Sequence, residues 1–326
     1  MDTNARTRIV AYQPLRPGDV GACFARAYAS FAPRCRGLPA PGVAVVAIRA
    51  RTGALAGVHV LTADRARHAA VTVGRHTSCD LHLADDDALA LRQLAVIASP
   101  LDLTGGAVAF RVLDLHSEGG MQDEAGRTLR GLRADGAAGV RCAGYVVFVL
   151  PVGPGTTWPD TGPAAWAALP PRTFVEALAR VPDASVVRPP TRVQLDVPFA
   201  SGTLVIRTPG PHTSEVVMAP RDIAGHLWLR GPGGERTIAI DHEVLSDGLL
   251  VGRYARCQHG QCDDDESVSR VHALVMLIDE RILVVDTGST NGVYARDDEA
   301  VTVAELVGDG RVRLGDETVM GWRWAS

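Results

Sequence analysis

An internal repeat constrains this chain more than any other feature. Val73-Gly74-Arg75 recurs 178 residues later as Val251-Gly252-Arg253. At the same spacing Cys79 falls on Cys257, Asp85-Asp86-Asp87 on Asp263-Asp264-Asp265, Arg92 on Arg270 and Ala95 on Ala273. After an insertion or deletion, Asp114-Leu115-His116-Ser117-Glu118-Gly119-Gly120 aligns with Asp286-Thr287-Gly288-Ser289-Thr290-Asn291-Gly292. One spacing shared by several motifs indicates a duplicated domain in which one copy has diverged. The length agrees, since 326 residues hold about two domains at roughly 150 residues each.

Both copies read as β. Residues 43–48, 58–62, 70–73, 94–98, 108–113 and 145–150 are short runs rich in β-branched and other apolar residues, broken by Gly, Asp and Pro. The second half repeats the pattern at 192–197, 204–207, 227–230, 236–240, 249–251, 273–278, 282–285 and 312–314. Many short strands at near-regular spacing predict an all-β chain of two sandwiches. Nine of the 20 prolines lie in residues 151–190, which mark a linker. Within it, 173–181 has apolar residues at helical spacing between Pro171 and Pro182, which predicts one short helix. The expected division is an N-terminal extension (1–42), a first sandwich (43–152), a Pro-rich linker (153–190), a β extension (191–226) and a second sandwich (227–326).

Composition excludes several function classes. All 33 basic residues are arginine. A phosphate loop with its lysine, a protein-kinase lysine and a Schiff-base lysine are therefore ruled out. A net charge of −4 without basic runs argues against nucleic acid as a partner. The strongest apolar stretch, 145–152, is strand-sized, far short of the ~20 residues a spanning helix needs. The first residues lack the build of a signal peptide. The expectation is a cytoplasmic protein without membrane insertion.

The second copy carries three polar clusters, each at a strand end: Gly252-Arg253, Ser269-Arg270-Val271-His272 and Gly288-Ser289-Thr290-Asn291-Gly292. Two arginines, several hydroxyls and an amide on the loops of one sandwich can converge on one rim. Arginine forks and hydroxyl donors suit a phosphate dianion. No general base stands beside a nucleophile, so the pattern reads as a binding site and not as an enzyme.

Gly-Arg, then Ser-Arg-x-His, then Asp-x-x-Ser-Thr-Asn-Gly, in this order and spacing, resembles the forkhead-associated (FHA) domain. The resemblance is strong over about 227–324 and weaker over about 43–152. It implies two FHA-type β-sandwiches in a bacterial protein, the arginine- and alanine-rich usage being that of a GC-rich genome. It further implies a signalling adaptor that binds a phosphothreonine peptide on a partner, and hence a Ser/Thr kinase acting on that partner. Carried over by motif, Arg253, Ser269 and Thr290 contact the phosphate, Arg270 adds a charged contact and Asn291 bonds the peptide backbone. Gly252, His272 and Gly292 shape the loops, His272 as a buried, hydrogen-bonded ring. No cofactor is implied. The rival reading is a phosphorylation-independent scaffold subunit of a larger bacterial assembly such as a secretion system.

In the first copy, the spacing of 178 puts Leu91 where Ser269 stands and Leu94 where His272 stands. Glu118 and Gly119 replace Thr290 and Asn291. A carboxylate repels a phosphate dianion, so the first copy reads as a degenerate FHA-like domain. Cys257, His259 and Cys262 have the spacing of partial zinc ligands, with His242 or an aspartate of 263–265 as a fourth. Cys79 sits at the position of Cys257 as a small apolar residue, so structural cysteines are preferred to a metal. Trp322 and Trp324 alternate with Arg323, which puts both indoles on one strand face. That face is read as core packing, not as a binding platform.

Overall fold

The computed structural model describes residues 19–169 apart from 125, the pair 176–177, and residues 223–325 apart from 255, 256, 258, 259, 263, 296, 297 and 309. In chain order the first part comprises helix α1 (Asp19–Cys35), β1 (Gly42–Arg49), β2 (Leu55–Thr62), β3 (Ala69–Gly74), β4 (Leu81–His82), β5 (Leu94–Ala98) and β6 (Phe110–Asp114). There follow β7 (Met121–Gln122), β8 (Thr128–Leu129), β9 (Gly131–Ala134), β10 (Ala138–Cys142), β11 (Tyr145–Val152), helix α2 (Gly162–Ala168) and β12 (Glu176–Ala177). The second part comprises β13 (Ile223–Gly231), β14 (Gly234–Asp241), helix α3 (His242–Asp247), β15 (Leu249–Gly252), β16 (Gly260–Gln261) and β17 (Ala273–Ile278). It closes with β18 (Arg281–Asp286), β19 (Val293–Tyr294), β20 (Val303–Leu306), β21 (Arg311–Leu314) and β22 (Thr318–Trp324).

The fold is all-β, in two sandwiches. The first pairs the sheet β2-β1-β11-β10-β7-β8 with β12-β9-β6-β5-β3-β4. The second pairs β14-β13-β22-β21-β19 with β16-β15-β17-β18-β20. Each encloses its own core, with Val71, Val73, Leu94 and Val96 inside the first and Leu249, Val251, Ala273 and Val275 inside the second.

The strands that alternate least in sequence are buried on both faces. On β1, Val43, Val45 and Ala47 face the first core, while Ala44, Val46 and Ile48 face α1. Phe24, Tyr28 and Phe31 of α1 recur at helical spacing and pack there with Phe148 and Trp166. On β5 and β17, the residues between the core positions face each other across a seam. Ala95, Ile97 and Leu113 of the first sandwich meet Leu274, Met276 and Val285 of the second. Equivalent strands supply both sides, so the two sandwiches join face to face much as an isologous dimer does.

The helix near the linker lies earlier than expected. Thr161 caps α2, its Oγ1 accepting from Ala164 N, and Pro163 occupies the first turn. In the predicted helix, Glu176 and Ala177 instead pair with Arg133 and Leu132 of β9, while the rest of 173–181 lies outside the described residues. The apolar spacing there is overridden by an open sheet edge. The strands expected at 192–197 and 204–207 also lie outside the described residues. Trp322 is buried in the second core, whereas Trp324, edge-on to it at 5.7 Å, stays exposed at the rim. No described helix is long and apolar enough to cross a membrane.

Candidate functional site

One rung of the second sandwich gathers the three motifs. Val251 pairs with Ala273, and Ala273 with Asp286. Arg253 follows the first member of this rung, Ser269 to His272 precede the second, and 287–292 follow the third. The clusters therefore emerge at one end of one sheet. Gly252 is required there, because a Cβ would lie 2.5 Å from Arg270 O and 2.8 Å from Ser269 O. Arg253 N and Tyr254 N donate to those carbonyls of 269 and 270.

His272 ties the loops together. It is fully buried, its Nδ1 accepts from Ser269 N at 2.9 Å and its Nε2 lies 2.8 Å from Gly292 O. Accepting at Nδ1 leaves the proton on Nε2, which donates to Gly292. Burial holds the imidazole below its ordinary pKa, against the opposing pull of the Gly292 hydrogen bond and Asp286. Asp286 Oδ1 accepts from Ser289 N, Ser289 Oγ accepts from Gly292 N, and Gly292 sits at φ +80°. Asp265 Oδ1 takes Ser267 N and Oγ, and its Oδ2 takes Thr318 Oγ1. Burial raises the Asp265 pKa, but these donors outweigh it and hold the carboxyl below its usual value. Asp286 and Ser289 belong to the third sequence motif and Asp265 to the acidic run, but their part in the frame, and Ser267 altogether, is not apparent in the sequence, although an Asp three residues before a Ser, as at 286 and 289, is a turn signal.

On this frame the structure brings Ser269 and Thr290 together. Their hydroxyls are 3.4 Å apart, and Thr290 N donates to Ser269 Oγ at 2.9 Å. Arg253 Nε donates to Val268 O, which leaves its η nitrogens for a ligand among the described residues. Arg270 is exposed, and Asn291 Nδ2 donates to Ser267 O at 2.8 Å. The rim thus offers hydroxyls and guanidinium groups on a hydrogen-bonded base.

Residues 249–316 match the family model of the FHA domain. No curated protein matches the chain. Among solved structures, FHA-1 of Mycobacterium tuberculosis Rv1747 is similar at 27% identity, covering 32% of this chain and 99% of its own, with a TM-score of 0.26. The FHA domain of Chlamydia trachomatis CT664 is 22% identical over 31% of this chain and 99% of its own, with a TM-score of 0.27. M. tuberculosis EmbR in complex with a low affinity phosphopeptide is 18% identical over 31% of this chain and 25% of its own, with a TM-score of 0.26.

The first sandwich repeats the rung of the second as Val73, Leu94 and Asp114. Its hydrogen bonds correct the alignment by one residue. Arg75 N donates to Ala90 O and His76 N to Leu91 O, as Arg253 and Tyr254 do to 269 and 270. Ala90 therefore stands where Ser269 is, Leu91 where Arg270 is and Gln93 where His272 is. The second sandwich has one extra residue between Cys257 and Gly260, which moves the spacing from 178 to 179. Arg92 is thus the counterpart of Val271 and not of Arg270. Arg75 keeps the geometry of Arg253, with Nε on Leu89 O at 3.1 Å. The serine, arginine, threonine and asparagine of the rim are replaced by Ala90, Leu91, Glu118 and Gly119.

Of the zinc-spaced triad, His259 lies outside the described residues. The Cys257 thiol donates to Arg270 O at 3.3 Å, and the Cys262 thiol to Gly260 O at 3.4 Å. Burial pushes the Cys262 pKa up to about 11, which favours the thiol over the thiolate a metal would need. No group of three metal-ligating side chains assembles among the described residues.

Proposed function

We propose that the second sandwich binds phosphothreonine on a protein partner, and that the chain is a signalling adaptor and not an enzyme. The observation that carries this reading is the Ser269–Thr290 hydroxyl pair beside Arg253, built on a rung whose sequence matches the FHA model. In this reading Arg253, Ser269 and Thr290 hold the phosphate oxygens and Arg270 adds charge from the rim. Asn291, fixed on Ser267 O, presents its amide to the peptide backbone. Gly252, His272 and Gly292 act only through loop shape. A partner phosphorylated on threonine implies a Ser/Thr kinase in the same cell.

The test is a competition series with peptides identical except for threonine, glutamate, phosphoserine or phosphothreonine. Glutamate brings one charge and a planar head, so it should compete far more weakly than the phosphate tripod. Phosphoserine lacks one methyl, worth roughly 1 kcal/mol when buried, so a several-fold loss is expected. Equal competition by unmodified threonine would replace this reading with the scaffold role.

A further inference from the structure

The seam between the sandwiches ends against the proposed phosphothreonine loop. Thr287 and Gly288 precede Ser289 and Thr290, and the second sandwich fixes the loop from one side through Asp286, Ser269 and His272. The carbonyls of Thr287 and Gly288 point the other way. Both are taken by Arg92 of the first sandwich, Nε to Thr287 O at 2.9 Å and Nη2 to Gly288 O at 2.5 Å. Ser78 Oγ of the first sandwich also donates to Gly288 O. Gly288 has φ +77°, and a Cβ there would lie 2.9 Å from Ser78 O, so the approach needs glycine.

Arg92 is only 9% exposed. A guanidinium is buried only where its donors are matched, and its planar fork spans two adjacent carbonyls as an ammonium does not. Its counterpart in the second sandwich, Val271, is an apolar residue packed at the same seam. The first sandwich has therefore put a charged fork at a position where the second has a plain packing residue.

We propose that Arg92 is a positioning residue for the binding loop of the other sandwich. The first sandwich, without a rim of its own, then serves as the outer half of the second one's site, holding 287–290 in the binding conformation before ligand arrives. This rests on the phosphothreonine reading. Preorganisation of this kind raises affinity by removing the ordering cost of the loop.

The test uses the full chain with Arg92→Met, Arg92→Lys and Ile97→Ala. Arg92→Met keeps an apolar stem without the fork, and its affinity for a phosphothreonine peptide should fall about tenfold. Arg92→Lys reaches one carbonyl and should recover only part of the loss. Ile97→Ala thins the seam without touching the loop, so it should lower Tm and leave the peptide Kd unchanged. A purely structural Arg92 would make Arg92→Met behave like Ile97→Ala, and that result overturns the proposal. Amide hydrogen exchange at Thr290 and Gly292 in the ligand-free protein gives a second readout. It should quicken in Arg92→Met or, if that variant does not fold, in Arg92→Lys; unchanged exchange overturns the proposal. If the wild-type chain binds no phosphothreonine peptide while exchange quickens, the phosphothreonine reading fails and the positioning role stands.

Discussion

In the first sandwich Gln93 joins the loop before β5 to the loop after β6, and in the second His272 joins the loop before β17 to the loop after β18. Gln93 Oε1 accepts from Ala90 N at 3.1 Å, as His272 Nδ1 accepts from Ser269 N. Gln93 Nε2 donates to Gly120 O at 3.1 Å, as His272 Nε2 donates to Gly292 O. Asp86 and Asp265 are likewise matched, each accepting from the amide two residues on. The frame is present in both sandwiches, while of the side chains that project from it only the arginine, Arg75 or Arg253, is common to both. The loop frame is therefore separable from the residues of the proposed site, since the first sandwich has the frame and the fold without Ser269, Arg270, Thr290 and Asn291 counterparts.

The largest expected effect breaks the frame itself. His272→Ala leaves Ser269 N and Gly292 O unpaired over a cavity and should cost about 3–5 kcal/mol of stability. Gln93→Ala should cost a similar amount, measured by denaturant unfolding. A cost below 1 kcal/mol for Gln93→Ala would mean that the two residues are not equivalent.

Next comes the rim. Arg253→Ala should weaken phosphothreonine peptide binding by about 1.5–3 kcal/mol, the scale of a charged hydrogen bond. Arg253→Lys should recover only part, since the fork is lost. Arg75→Ala in the first sandwich should leave calorimetric affinity unchanged, and equal losses at both arginines would erase the distinction.

Acid should act on the loop frame built around His272 more than on the one built around Gln93. Burial lowers the folded pKa of His272, with Asp286 and Asp265 opposing and Arg92 assisting, while the unfolded value stays near 6.5. The unfolded chain then binds more protons below that value, so His272's contribution is full above it and lost as pH falls towards the folded pKa. Gln93 does not titrate. His272→Gln should therefore flatten the loss of stability between pH 7.5 and 5.5. At neutral pH the same substitution should have the smallest effect of the set, about 1 kcal/mol or less, because Gln93 shows that an amide fills this role. Denaturant melts at several pH values check both.

The duplication, the β class and the three clusters were legible in the sequence because each depends on local residue types. The register was not. Arg92 and Arg270 look equivalent at a spacing of 178, and the bonds from Arg75 and Arg253 together with the strand registers reveal the extra residue between Cys257 and Gly260. The seam had a signal in the unbroken apolar runs of β5, β17 and β18, which exceed what one buried face requires. Helix α1 also carried its period in Phe24, Tyr28 and Phe31, yet its span falls within what reads from composition as a plain extension. The contact between Arg92 and the 287–288 carbonyls joins residues 195 and 196 positions apart, and no local pattern encodes it.

The most direct test of the central claim is a calorimetric titration of the full chain with a phosphothreonine peptide, counting sites. One site per chain is expected, removed by combining Arg253→Ala with Ser269→Ala and absent for the unphosphorylated peptide. Two sites per chain, or a site that survives in the double variant, would contradict it.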